Sequence, residues 1–160
     1  MAFRTYACGV GSSPAFYEPP SGIAAWLNRA VQALGSLGLS LYGAENLAVR
    51  GRRSGEWRVV PVNPLTLDGH CYLVAPRGET HWVRNARAGG DVELRLGRRR
   101  QPVRLTELAD AEKPPLLRAY LVRWHFEVKQ FFPGLGPDAS DDALRAAAPR
   151  YPVFRVAAAR

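Results

Sequence analysis

Apolar and polar positions change period along the chain, and the changes divide it into a helix, a run of short strands and a second helical stretch. Ile23, Trp26, Leu27, Ala30, Val31 and Leu34 recur at the spacing of one helical face. Ser21 stands where an N-cap belongs, and Gly35 and Gly38 loosen the far end. Ahead of this helix, residues 1–20 carry Gly9, Gly11, Pro14, Pro19 and Pro20 and read as an irregular arm. After Gly43 the period drops to two. Leu47–Val49 predicts a short strand and Gly51–Gly55 a glycine-bounded turn. Trp57–Leu67 predicts a longer strand, in which Pro61 and Pro64 lack ladder donors and require an edge or a bulge. Asp68-Gly69 is a two-residue hairpin signal leading into a strand over His70–Ala75. Pro76–Thr80 reads as a loop and His81–Ala88 as a short helix; Asp91–Leu96 and Gln101–Leu108 read as a hairpin around Gly97–Arg100.

The last third is helical first. Leu116, Leu117, Tyr120, Leu121, Trp124 and Val128 follow helical spacing, with Pro114 and Pro115 tolerated in the first turn. Phe131-Phe132-Pro133-Gly134 stops that helix. Asp138–Ala148 predicts another, with Ser140 at its N-cap and Asp141 and Asp142 favourable near its start. Tyr151–Val156 is a final strand. Short strands joined by tight turns predict an antiparallel sheet closing into a small barrel, hence an α+β fold.

Composition bounds this picture. The 160 residues are 47% hydrophobic, enough for one cored domain over residues 21–160 behind the arm of residues 1–20. No period recurs, which excludes coiled coils and repeat arrays. Cys8 and Cys71 make neither a disulfide framework nor a metal cluster, so the expected compartment is the cytoplasm. A secretory signal is not expected, because no basic stretch followed by a continuous apolar run opens the chain. Asn28, Arg29 and Gln32 interrupt the first helix, so it is no membrane span. Its polar face carries one cation, which favours a cap on the β core over a helix lying on a membrane surface.

Charge adds the candidate chemistry. Lys and Arg number 22 against 14 Asp and Glu, a net charge of +8, and only Lys113 and Lys129 are lysines. Arginine-rich codon usage, nucleic acid and a small anionic ligand each account for such a surplus, and position separates them. Arg95, Arg98, Arg99, Arg100 and Arg104 are the residues a nucleic acid would use, but no aromatic stripe or helix-turn-helix pattern accompanies them. Two other segments carry anion-binding logic. In Arg50-Gly51-Arg52-Arg53-Ser54-Gly55, with Arg58 beyond, a glycine turn lets backbone N–H groups converge beside guanidiniums. The spacing is not that of a P-loop. The stretch from Ala75 to Arg87 runs from a strand end through Gly78 into a helix that carries Trp82 and Asn85.

Together, the order strand, GR[KR]SG, x-x-R-x-x-P, DG hairpin, strand, glycine loop and W-x-x-N resembles the deazaflavin (F420)-dependent nitroreductase family. The resemblance covers about Leu47 to Arg87, and Pro152–Arg155 is similar to the family's terminal strand. It implies a split β-barrel related to the FMN-binding pyridoxamine oxidases, here with an N-terminal helix and a C-terminal helical segment. It implies the coenzyme F420, with its phosphate side at Arg52, Arg53, Ser54, Gly55 and Arg58. Val60, Pro61 and Asn63 would lie along the deazaflavin ring, Ala75, Pro76, Arg77 and Gly78 would form the glycine loop, and Trp82 and Asn85 would frame the pocket. Arg77 stands where many relatives have lysine. The loop before Trp82 is several residues shorter than in the best-known nitroreductases, and their late helical tyrosines are unmatched: this chain has Trp124-His125-Phe126 there.

The implied reaction is hydride transfer from the reduced coenzyme to a small electron-poor acceptor: a quinone, a nitroaromatic or a conjugated enone. His81, His125, Tyr120 and Tyr151 are the candidates to supply a proton, and none is assigned as catalytic. The alternatives are the same barrel with FMN, or a non-catalytic coenzyme-binding protein. No nucleic-acid partner is expected, and a homodimer is expected by resemblance.

Overall fold

The computed structural model describes residues 45–96 and 98–159. The N-terminal arm and the helix expected from Ser21 lie outside these residues. Among the described residues the strands are β1 (Glu45–Arg50), β2 (Trp57–Val62), β3 (Leu65–Leu67), β4 (His70–Val74), β5 (Val92–Leu96), β6 (Arg99–Glu107) and β7 (Val153–Ala158). The helices are α1 (His81–Arg87), α2 (Lys113–Val128) and α3 (Asp141–Ala147). Ser140 caps α3 by accepting the Ala143 N–H, as its sequence position requires. Pro114 and Pro115 open α2, where no intrahelical N–H is needed.

The strands form one curled antiparallel sheet in the order β2-β1-β5-β6-β7-β4-β3. One expectation is corrected here. The apolar run Trp57–Leu67 is not one strand but two, interrupted at Asn63-Pro64, and the two pieces stand at opposite edges of the sheet. The prolines do hold it to an edge, because neither can donate to a ladder. The chain therefore crosses the seam of the curl at Asn63-Pro64. At the Asp68-Gly69 hairpin both residues have positive φ (50° and 74°), as a tight two-residue hairpin of the primed class demands.

Two cores share β4 and β7. Leu73 pairs with Phe154 and both point into the curl, where Leu47, Val49, Val62, Ala75, Trp82, Val83, Val92 and Leu94 also pack. Their chain neighbours Val74 and Val153 point outward, into a core made with Leu116, Leu117, Tyr120, Leu121, Trp124, Phe132, Leu144 and Tyr151. The period-two alternation of a strand buried on both faces puts one residue in each. The helix α1 fills the inside of the curl, while α2 and α3 cover the outside of the β3–β4–β7 end.

Candidate functional site

The turn between β1 and β2 is built by its own backbone. Gly51 N–H donates to Glu56 O and Gly55 N–H to Gly51 O, both at 2.8 Å, while Arg50 Nη1 donates to Gly55 O at 2.6 Å. Gly55 has a φ of 68°, a region open to glycine at little cost. At Gly51 a Cβ would come within 2.8 Å of Ser54 Oγ. The turn is thus shaped so that Arg52, Arg53 and Ser54 project from it, all exposed.

Two hydrogen bonds to one oxygen tie this turn to α1. Arg52 Nη1 donates to Asn85 Oδ1 at 2.9 Å, and the Arg52 backbone N–H reaches the same oxygen at 3.4 Å. Asn85 is buried on the face of α1 that also carries Trp82 and Val83. The two segments singled out in the sequence, 33 residues apart, are therefore neighbours. Arg58 follows on β2, exposed and 3.9 Å from Glu56. Val60 turns inward against the inner core, and Pro61 and Asn63 lie at the half-buried end of β2.

The loop before α1 has unspent donors. Among the described residues, the buried Arg77 Nε and Thr80 Oγ1 have no hydrogen-bond partner, although such groups are nearly always paired. Thr80 occupies the N-cap of α1, yet its side chain makes no cap bond. Gly78, at a φ of 73°, lets the loop reverse, and its N–H donates to Ala75 O at 3.0 Å. The Arg77 guanidinium lies 4.9 Å from the ring centre of Phe131, just past α2. A basic turn joined to α1 and a loop with orphaned buried donors fit an anionic coenzyme.

Trp82, expected to frame the pocket, packs 5.3 Å from Phe154 in the inner core and is 6% exposed. Arg87, at the end of α1, pairs with Glu107 on β6 and with Glu79. The Glu107 hydrogen bond, with help from Glu79, pushes its guanidinium pKa up despite partial burial. These bonds lock α1 against the sheet.

A family model described as F420H(2)-dependent quinone reductase matches residues 25–130. The chain belongs to this family. F420 is accordingly the coenzyme of this quinone reductase homologue, and its activity is that of an F420-dependent reductase. The expectation drawn from the arginine–glycine segments is borne out at that level. No curated protein matches the chain. Among solved structures, one described as a domain-swapped dimer is 18% identical with a TM-score of 0.51, covering 84% of this chain and 96% of that one. A protein of unknown function from Agrobacterium tumefaciens is 16% identical with a TM-score of 0.51, covering 91% of this chain and 59% of the other. A structure titled F420-H2 dependent reductase is 20% identical with a TM-score of 0.48, over 72% of this chain and 94% of its own. At these identities the first two likenesses establish the fold.

Among the described residues, no helix is long and apolar enough to cross a membrane, and no cluster of three or more His, Cys, Asp or Glu is placed to hold a metal. The residues that sequence reasoning missed are Thr80, Glu127 and Phe131. Thr80 was legible as the residue before a helix. Phe131 and Glu127 meet their partners across more than fifty residues, and no local pattern signals that.

Proposed function

We propose that F420 lies along β2 with its phosphate side at Arg52, Arg53, Ser54, Gly55 and Arg58 and its ring side at Val60, Pro61 and Asn63. Ala75, Pro76, Arg77 and Gly78 close over it, and Asn85 anchors the turn. The observation that carries this reading is the Arg52–Asn85 hydrogen bond, which joins the two motifs into one surface. The orphaned Arg77 Nε supports it, since a bound anion or carbonyl would satisfy that donor.

The coenzyme, once reduced, supplies a hydride to an electron-poor acceptor such as a quinone, nitroaromatic or enone. The chain's own task is orientation. Arg52 and Arg53 neutralise charge, the glycine turn allows close backbone approach, and Trp82 and Val83 hold α1 rigid beneath it. Residues 21–160 act as a single coenzyme-binding domain of the split-barrel, pyridoxamine-oxidase-like kind, working in the cytoplasm. Homodimerisation is supported by the domain-swapped dimer among the structural neighbours.

Titration of the purified chain with F420, followed by tryptophan fluorescence, tests the site. Saturation at micromolar coenzyme is expected, with Arg53→Ala and Arg58→Ala weakening it. Undiminished affinity in both variants overturns the phosphate-side assignment.

A further inference from the structure

Guanidiniums in this chain are held in two ways. Arg87 and Arg118 engage carboxylates with their edges, and Arg52 engages Asn85 in the same manner. Arg77 is held by its face. Its guanidinium carbon lies over the Phe131 ring, 4.9 Å from the ring centre. Among the described residues its Nε, buried in the loop between β4 and α1, has no hydrogen-bond partner. The two arrangements differ in what they leave over. The N–H donors of a guanidinium lie in its plane, so a carboxylate at the edge occupies them, whereas an aromatic face attracts the charge and leaves them open.

One short step of chain fixes both partners of this stack. Tyr151 is fully buried, and its hydroxyl donates to Phe131 O at 2.8 Å. Pro152, the next residue, accepts the Ala75 N–H at 2.9 Å, where the Arg77 loop begins. Gly78 N–H donates back to Ala75 O at 3.0 Å and closes the loop around Arg77. Phe131 ends the single helical turn Lys129–Phe131 just past α2 and packs against the outer core. The ring therefore has a fixed place beside the loop.

We propose that Phe131 is a positioning residue for F420 binding. Its ring holds the Arg77 guanidinium by the face and keeps the in-plane donors available to an anionic oxygen of the coenzyme. The proposal rests on the placement of Arg77 beside F420 given above, and it adds a residue that lies outside both arginine–glycine motifs. Arginine suits this platform better than lysine, because a planar guanidinium stacks on a ring and an ammonium is a compact point charge. A guanidinium already ordered on its platform loses less freedom when the coenzyme arrives, and that smaller loss appears as affinity.

F420 affinity, by fluorescence titration, and thermal unfolding would be measured for wild type, Arg77→Ala, Phe131→Leu, Phe131→Tyr and the double variant Arg77→Ala/Phe131→Leu. Arg77→Ala should weaken F420 binding at least about tenfold. Phe131→Leu, which keeps apolar bulk but no ring face, should weaken it about threefold to tenfold. Phe131→Tyr keeps the face and should stay within about twofold of wild type. The double variant should bind no more weakly than Arg77→Ala alone, because the ring acts through the arginine. Phe131→Met, also ringless and of similar bulk, replaces Phe131→Leu if that variant unfolds below the titration temperature. Affinity within about twofold of wild type in Phe131→Leu overturns the proposal while leaving Arg77 at the coenzyme. An equal loss in the Arg77→Ala background, or in Phe131→Tyr, overturns it as well. Unchanged affinity in Arg77→Ala overturns the placement of Arg77 itself, and the proposal with it.

Discussion

Single residues set the proposed coenzyme surface through a few directed bonds. Asn85 is the clearest case, because its buried carbonyl oxygen holds an arginine of the turn at 2.9 Å. Asn85→Ala removes that oxygen and frees Arg52 to sample solvent. F420 affinity should fall about tenfold, while unfolding shifts by about 1–2 kcal/mol; titration and denaturation measure the two separately. Cys71 makes the opposite point. It is half-buried, and burial together with the nearby Glu45 charge raises its thiol pKa. A raised pKa lowers the thiolate fraction at neutral pH, and the thiolate is the nucleophile. Alkylation of Cys71 at pH 7.5 should therefore run more slowly than that of a free thiol; a faster rate would contradict the burial.

Secondary-structure elements contribute through their ends. The two glycine-bearing turns separate stability from binding. Gly55 and Gly69 both have positive φ and open space where a side chain would go. Alanine at either should cost about 1–2 kcal/mol in unfolding free energy, because the left-handed region penalises a Cβ. Only Gly55→Ala should also weaken F420 binding, since only that turn carries Arg52, Arg53 and Ser54. Equal affinities in the two variants would count against the turn as the phosphate-side element.

At this scale much was legible in the sequence. The helices α1 to α3 and nearly all strands stand within a few residues of their apolar patterns, because each buries a face whose period the chain spells out. The break at Asn63-Pro64 was not legible. Pro61 and Pro64 announced an edge, but an edge strand and two edge strands on opposite sides of a curl share one local sequence. Trp82 was ambiguous for the same reason: an aromatic on a short helix reads alike as pocket wall or core, and its packing against Phe154 is written in no neighbouring residue.

Across the whole molecule, stability depends on strands that serve two cores at once. Leu73 is fully buried and packs with Phe154, while its neighbour Val74 faces α2. Leu73→Ala opens the inner core beneath α1 and should cost about 2–5 kcal/mol. Chemical denaturation would show this as a lower midpoint with an unchanged slope. The fall in F420 affinity should be smaller than for Asn85→Ala if α1 remains seated through the Arg87–Glu107 pair.

The sequence by itself determined the elements, the turn chemistry and the positions of the arginines, and the resemblance of its glycine, arginine and tryptophan motifs to a known family implied the coenzyme. These are local properties, written in neighbouring residues. Only the tertiary structure decided which arginine meets which asparagine, that the chain crosses the curl at Asn63-Pro64, and that Glu127 reaches the end of β2. Those contacts join residues dozens of positions apart. They exist because the sheet must bury both faces at β4 and β7, and that demand belongs to the whole chain rather than to any segment of it.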